Sequence, residues 1–388
     1  MAEFDLDILF VSFSDPKKDG RTYNLVKLIA GKQNKKVGLM AIGKEEDKRH
    51  YRALSIQFFP IEESKSSKMT LRWNKFRTQA KMYYRLIRSL DYFACDLWSL
   101  PVAREMFRKA QMNDRYPHRL FYDSREIYSA LGPISGKGIK QSIITEAEKV
   151  NVKDVDIMIT SGVMDTDYLK DHFGNRSTPY YEIYNYPSFK SPLPSNILRD
   201  KLQLTQEHSV FIYQGVILPG RGLKQAIDAV ALVDKAHLFI VGEGPYYSEI
   251  KEYADSKNIG NKVVFTGPVH YNRLHEVTCS ADVGLALFEP VSKSYELSLP
   301  NKLFEYCMAG IPSLITDLPQ MADVLKKDKI GIAVDRKLDV DEIADKMAYL
   351  HHLYNRDEFI KATERASRRY SYEAQKKDIL EIFREDDF

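Results

Sequence analysis

Short apolar runs alternate along the chain with stretches in which apolar residues return every three or four positions. DILFVSFS (7–14) predicts a buried strand, and RTYNLVKLIAGK (21–32) predicts the helix after it. The pairing recurs, with strands predicted at 36–43, 53–60, 91–98, 118–126 and 155–162. YNYPSFKSPLPSN (184–196) breaks the rhythm, because Pro187, Pro192 and Pro194 suit neither a helix nor a central strand. It reads as an interdomain linker. The rhythm restarts with strands predicted at 209–216, 236–244, 261–269, 281–290, 311–317 and 330–335. A helical tail, about 355–387, is interrupted near 368–375.

Strand–helix alternation of this kind predicts an α/β chain with two doubly wound parallel sheets. The expected domains are residues 1–190 and 191–370. Two such domains are expected to meet at a cleft, with ligand outside the carboxyl ends of the strands.

The length of 388 residues suits two domains, at about 100–200 residues each. A net charge of +3 gives no general argument for nucleic acid. Cys95, Cys279 and Cys307 have no metal-ligand spacing, which fits a reduced, cytoplasmic protein. The start of the chain shows no signal-peptide pattern, and no apolar run reaches the roughly 18 residues of a membrane span.

Four predicted strands run through glycine or proline into a helix: at 15–21, 215–223, 242–245 (with Gly242) and 266–269. Glycines there let backbone N–H groups approach a ligand, and helix N-termini favour anions. SLPNKLFEYCMAGIP (298–312) is the most informative stretch. Pro300 suits a first helical position, flanked by Leu299 and Asn301. Lys302 adds a full charge to the positive helix end. Glu305 lies about a turn further on, where a carboxylate can accept two hydrogen bonds from ribose hydroxyls. The stretch therefore reads as a nucleoside-diphosphate seat.

The second half resembles the retaining GT-B glycosyltransferases of family four (glycosyl transferases group 1). The residues that carry this are YQGVILPGRGLKQAIDAV (213–230), LFIVGEGP (238–245), VVFTGPV (263–269), ADVGLALF (281–288) and 298–319. The first half matches more loosely, through FYDSREIYS (121–129), CDLWSLPVA (95–103) and IYNYP (183–187). The resemblance implies two Rossmann-like domains, acceptor side first and donor side second. It also implies a last helix, about 371–388, that crosses back to the first domain.

The implied reaction moves a hexose from a nucleotide sugar, such as a UDP-sugar, to a saccharide or lipid-linked acceptor hydroxyl. The configuration is retained and no metal or other cofactor is required. Its implied place is polysaccharide or glycoconjugate biosynthesis. Arg221 and Lys302 would face the diphosphate, Glu305 the ribose, Gly20 the phosphates and sugar, and the backbone at Val269 the base.

Three positions depart from the family pattern. Val216 stands where an arginine is common, and Leu297 where an upstream glutamate is usual, with Glu296 one position away. Arg125, beside Glu126, replaces a histidine. Arg125, Glu126 and Glu296 are therefore the candidates for acceptor or sugar contact. A non-hydrolysing nucleotide-sugar epimerase and a non-catalytic nucleotide-sugar-binding subunit are the alternatives. Asp-x-Asp pairs at 5/7, 154/156, 165/167 and 339/341 sit at strand and helix starts, where aspartate is common, and are not read as metal sites.

Residues 64–90 carry eight Lys or Arg and no acidic residue. Met69, Trp73, Phe76, Ala80, Tyr83, Ile87 and Leu90 form a helical stripe, flanked by these charges. The stripe is expected to pack on the sheet. The charges suit either solvent or the anionic inner face of the cell membrane.

Overall fold

The apolar runs become strands. The computed structural model describes residues 5–32, 35–113, 115–131, 138–174 and 177–383. The chain divides into two compact units, Met1–Tyr184 with Lys376–Phe388, and Asn185–Gln375.

In the first unit, β1 (Leu6–Ser12), β2 (Val37–Ile42), β3 (Ile56–Ile61), β4 (Ser89–Ala94), β5 (Arg119–Ser124), β6 (Ile157–Thr160) and β7 (Tyr180–Glu182) make one sheet. Its order is β3-β2-β1-β4-β5-β6-β7, and all its pairings are parallel. In the second, β8 (Ser209–Gln214), β9 (Ala236–Val241), β10 (Val263–Gly267), β11 (Val283–Ala286), β12 (Ser313–Thr316) and β13 (Gly331–Val334) follow the order β10-β9-β8-β11-β12-β13. These pairings are parallel too. Each sheet reverses its winding once, between β1 and β4 and between β8 and β11. Such switch points are where open α/β sheets hold ligands.

The second switch point is wedged open. β8 and β11 share two register positions, Val283 with Phe211 and Gly284 with Ile212. Beyond them the Tyr306 hydroxyl lies 3.3 Å from the Ile212 carbonyl, 3.1 Å from the Leu285 carbonyl and 3.3 Å from the Gln214 N–H. It satisfies backbone groups that the splayed strands leave unpaired. A Cβ on Gly284 would meet the Tyr306 ring at 2.2 Å, so this wedge requires glycine there.

The final helix, Lys376–Ile382, belongs to the first unit. Buried Ile379 and Ile382 anchor it. Phe383 stacks on Phe121 at 5.4 Å and on Phe93 at 5.9 Å. Positions 384–388 of the predicted tail helix lie outside the described residues.

Helix Met69–Tyr83 packs its predicted stripe inward from Trp73 on, whereas Met69 at its start is exposed. Phe76 and Ala80 are buried, and the Trp73 indole N–H donates to the Trp98 carbonyl at 2.8 Å. Leu71 and Met82 also face outward, with Leu86 just beyond the helix end. The basic residues are not all unopposed. Arg72 pairs with Glu63, Lys75 with Glu62 and Arg77 with Glu105, all carboxylates from outside the 64–90 segment. Lys81 and Arg85 make no ion pair among the described residues. No described helix is long and apolar enough to cross a membrane.

Candidate active site

Helix Asn301–Met308 starts at the carboxyl end of the second sheet. Pro300 is its N-cap, with extended backbone (φ −76°, ψ 141°), so the first helical residue is Asn301. No side chain caps the helix, and its first N–H groups face outward with the positive helix end. Gly310 (φ +74°) follows the last turn and lets the Ile311 N–H bond back to the Tyr306 carbonyl at 3.1 Å. Leu303, Phe304 and Cys307 bury the helix's other face in the core.

Lys302 is buried, with its ammonium 3.6 Å from the centre of the Tyr213 ring and 5.7 Å from that of Phe288. The Arg221 guanidinium lies over the same Phe288 ring at 4.2 Å and over Tyr295 at 4.5 Å. Among the described residues neither cation has an ion pair. Aromatic faces hold both in place without neutralising them. Burial, and then repulsion from Arg221, push the Lys302 pKa well below its ordinary value, while Glu305 opposes the shift. This is a site short of negative charge. Gly215 (φ +121°) packs against it, since a Cβ there would lie 3.6 Å from the lysine nitrogen.

Glu305 lies one turn along the same helix. Its Oε2 accepts from Gln214 Nε2 at 2.5 Å. Burial pushes the Glu305 acid up, and Gln214, Lys302 and Lys190 pull it back in part. Glu305 also lines an open pocket made within the second unit. Tyr271, Leu274 and His275 form one side of it, and Pro187, Ser188 and Lys190 another. The Lys190 ammonium lies 5.1 Å from the Tyr271 ring centre. The order is thus pocket, carboxylate, then two cations at an uncapped helix end.

The remaining predicted residues are distributed as follows. Asn301 is exposed at the helix start, and Leu299 packs against the core beneath it. Val269 follows β10, and its side chain packs beside the Tyr306 cluster. Gly242 (φ +140°) is accounted for by strand-end packing, because a Cβ there would meet the Gly215 carbonyl at 2.0 Å. Val216, in the arginine's usual place, is exposed. Leu297 is buried, and Glu296 pairs with Lys293 at 3.1 Å and Arg336 at 3.8 Å.

Gly20, Arg125 and Glu126 belong to the first unit. Gly20 opens helix Gly20–Lys32, where a Cβ would meet nothing within 4 Å. Arg125 is held by the protein itself: Nη1 donates to Asp19 at 2.5 Å, Nε to Asp123 at 3.1 Å, and Nη2 to the Thr22 hydroxyl. Arg21 makes a bidentate pair with the same Asp123, at 2.7 and 2.8 Å. Burial pushes Asp19 up, but Arg125, Thr22 and Ser14 outweigh it and hold Asp19 down at about 2. Glu126 is exposed.

Three of the Asp-x-Asp carboxylates have partners within the fold. Asp154 takes Arg104 and Arg108, the Asp156 carboxylate accepts from the Leu120 N–H, and Asp339 caps helix Val340–His351. Among the described residues no cluster of three or more His, Cys, Asp or Glu has the arrangement of a metal site.

Residues 195–367 match the family described as "Glycosyl transferases group 1". The matched residues lie within the second unit. A GDP-mannose-dependent alpha-(1-6)-phosphatidylinositol monomannoside mannosyltransferase of Mycobacterium tuberculosis is 27% identical over 165 residues, 41% of this chain and 42% of that protein. The chain thus spans about two fifths of the length of the curated relatives it matches. Among solved structures, sucrose-phosphate synthase from Thermosynechococcus elongatus superposes with a TM-score of 0.77 at 14% identity, covering 97% of this chain and 98% of that one. Anabaena HepE in complex with UDP-glucose gives 0.73 at 15%, covering 97% and 99%. The fold of the chain is GT-B.

Proposed function

We propose that the chain is a glycosyltransferase that moves a sugar from a nucleoside-diphosphate sugar to an acceptor hydroxyl, with retention of anomeric configuration. The observation that carries this is the order of groups in the second unit. In this reading the nucleoside lies against the open pocket that ends at Glu305, and the diphosphate is expected at Lys302, Arg221 and the open helix end. The matched family and the UDP-glucose complex of HepE support the same reading.

In the reaction the bond from the sugar's anomeric carbon to the diphosphate oxygen breaks. The acceptor oxygen bonds that carbon, and its proton leaves with the departing phosphate. Negative charge builds on the diphosphate as the bond opens. Lys302 and Arg221 are fixed beforehand by aromatic faces, so they stabilise that charge with little reorganisation. One cation near 4 Å at an effective dielectric of about 20 contributes on the order of 4 kcal/mol. Metal-independent transfer is therefore part of the proposal. The test is turnover of UDP- and GDP-sugars, with the product anomer read by NMR.

The acceptor is proposed to be a saccharide carried on a lipid. Lys81 and Arg85, with the exposed Met82 and Leu86, would bring the first unit to an anionic bilayer. The protein is expected to pellet with anionic vesicles at low salt and to be released as salt rises. Each basic residue at such a surface contributes about 1 kcal/mol, so changing Lys81 and Arg85 together to Gln should weaken partitioning about 30-fold. Failure of the wild-type protein to pellet at low salt would remove the bilayer from the account.

A further inference from the structure

Gln214 is the last residue of β8 and is 1% exposed. A buried amide at a strand end needs partners for both of its ends. Its Nε2 faces Glu305 Oε2 at 2.5 Å, and its Oε1 lies 2.7 Å from the Thr278 hydroxyl. A carboxylate only accepts, so the amide nitrogen is the end that faces Glu305. The Thr278 proton is shared between that Oε1 and the Leu274 carbonyl, also at 2.7 Å. The Gln214 backbone N–H is tied to the Tyr306 hydroxyl as well. The amide is thus fixed by helix Tyr271–Thr278 on one side and by the strand wedge on the other.

Glu305 itself sits on a flexible stem at the pocket wall. Vicinal hydroxyls bring two donors, so their partner must be ionised and turned the right way. We propose that Gln214 is the positioning residue for Glu305, occupying one carboxylate oxygen and aiming the other at the vicinal hydroxyls of the bound nucleotide's ribose. The inference rests on the ribose role of Glu305 given above. It assigns Gln214 to substrate discrimination rather than to holding the fold. Burial raises the Glu305 acid, and the Gln214 bond is the strongest of the effects that lower it again. Without that bond Glu305 takes up its proton at a higher pH, and binding that needs the carboxylate fails at a higher pH.

The experiment is calorimetry with UDP and GDP and with their 2′,3′-dideoxy analogues, from pH 5 to 8. Wild-type protein and Gln214→Met, which keeps similar bulk and removes both side-chain bonds, are compared. The ribonucleotide that the wild type binds better should lose about 10-fold in affinity in the variant. Its dideoxy analogue should bind both proteins alike, and the acid limb of ribonucleotide binding should move to higher pH. Equal losses for both nucleotides, or an unmoved acid limb, would give Gln214 a merely structural role and overturn the inference. Thr278→Val covers the case in which Gln214→Met does not fold. It loosens the amide alone and should show a smaller loss confined to the ribonucleotide; an unchanged ribonucleotide preference overturns the inference. If the wild type does not distinguish ribonucleotide from dideoxynucleotide, the ribose role of Glu305 fails first, and the role of Gln214 falls with it.

Discussion

Lys302→Met is expected to lower turnover about 100- to 1,000-fold, the loss typical when one fixed donor to a developing anion is removed. Methionine keeps most of the buried bulk beside Tyr213 and removes only the charge. The ammonium is buried and faces Arg221, and among the described residues no carboxylate is paired to it. That arrangement is unfavourable until an anion arrives, and most unfavourable when no anion can. The free energy gained on binding is therefore largest where charge is greatest, on the departing diphosphate. A nucleoside without phosphates should bind wild type and variant equally, and the nucleoside diphosphate should bind the variant more weakly. Single-turnover kinetics and calorimetry separate the two. Equal turnover in the variant would place the leaving group elsewhere.

Glu305→Ala is expected to weaken nucleoside diphosphate binding about 10- to 150-fold, through loss of charge-assisted hydrogen bonds worth roughly 1.5–3 kcal/mol. The variant also leaves Gln214 Nε2 without its acceptor, which lowers stability as well as affinity. Calorimetry with the dideoxy nucleotide controls for this, because a loss confined to the ribonucleotide belongs to the ribose. The same affinity in wild type and variant would show that Glu305 does not meet the nucleotide.

Much of the scaffold was legible because local rules governed it. Runs such as 209–216 and 311–317 are too apolar for anything but a sheet buried on both faces, and glycine or proline punctuates each. β7 (Tyr180–Glu182) escaped because it is a three-residue, half-exposed edge strand with no apolar run to announce it. The seat at 298–312 was legible because helix start, lysine and glutamate are all local. Gln214 was not, because its partners lie 64 and 91 residues away in sequence. The rings that hold the two cations, Tyr213, Phe288 and Tyr295, were equally hidden. Tyr213 lies on β8, Phe288 just after β11 and Tyr295 on the helix Lys293–Glu296, so nothing local joins them.

Long-range pairing also explains the basic stretch. Its charges look unopposed within 64–90, but Glu62 and Glu63 sit just before the segment and Glu105 on the next helix. The stripe packs on the core from Trp73 on, while its first residue, Met69, is exposed together with Leu71, Met82 and Leu86, which lie between its teeth. Arg125 shows the same limit. Its partner Asp123 is two residues away, but its other carboxylate, Asp19, is 106 residues away, so the local sequence does not mark the ion network that the fold builds around it.

The central claim is that this chain breaks the bond between a sugar and a nucleoside diphosphate with cations of its own. The direct measurement is NMR of the protein incubated with UDP- and GDP-sugars, in EDTA and with a saccharide acceptor. Release of nucleoside diphosphate that EDTA does not slow is expected, with a product whose anomeric configuration matches the donor's. An inverted product would contradict the retaining mechanism, and loss of turnover in EDTA that manganese restores would contradict the metal-free one. No binding or turnover of any nucleotide sugar would contradict the claim itself.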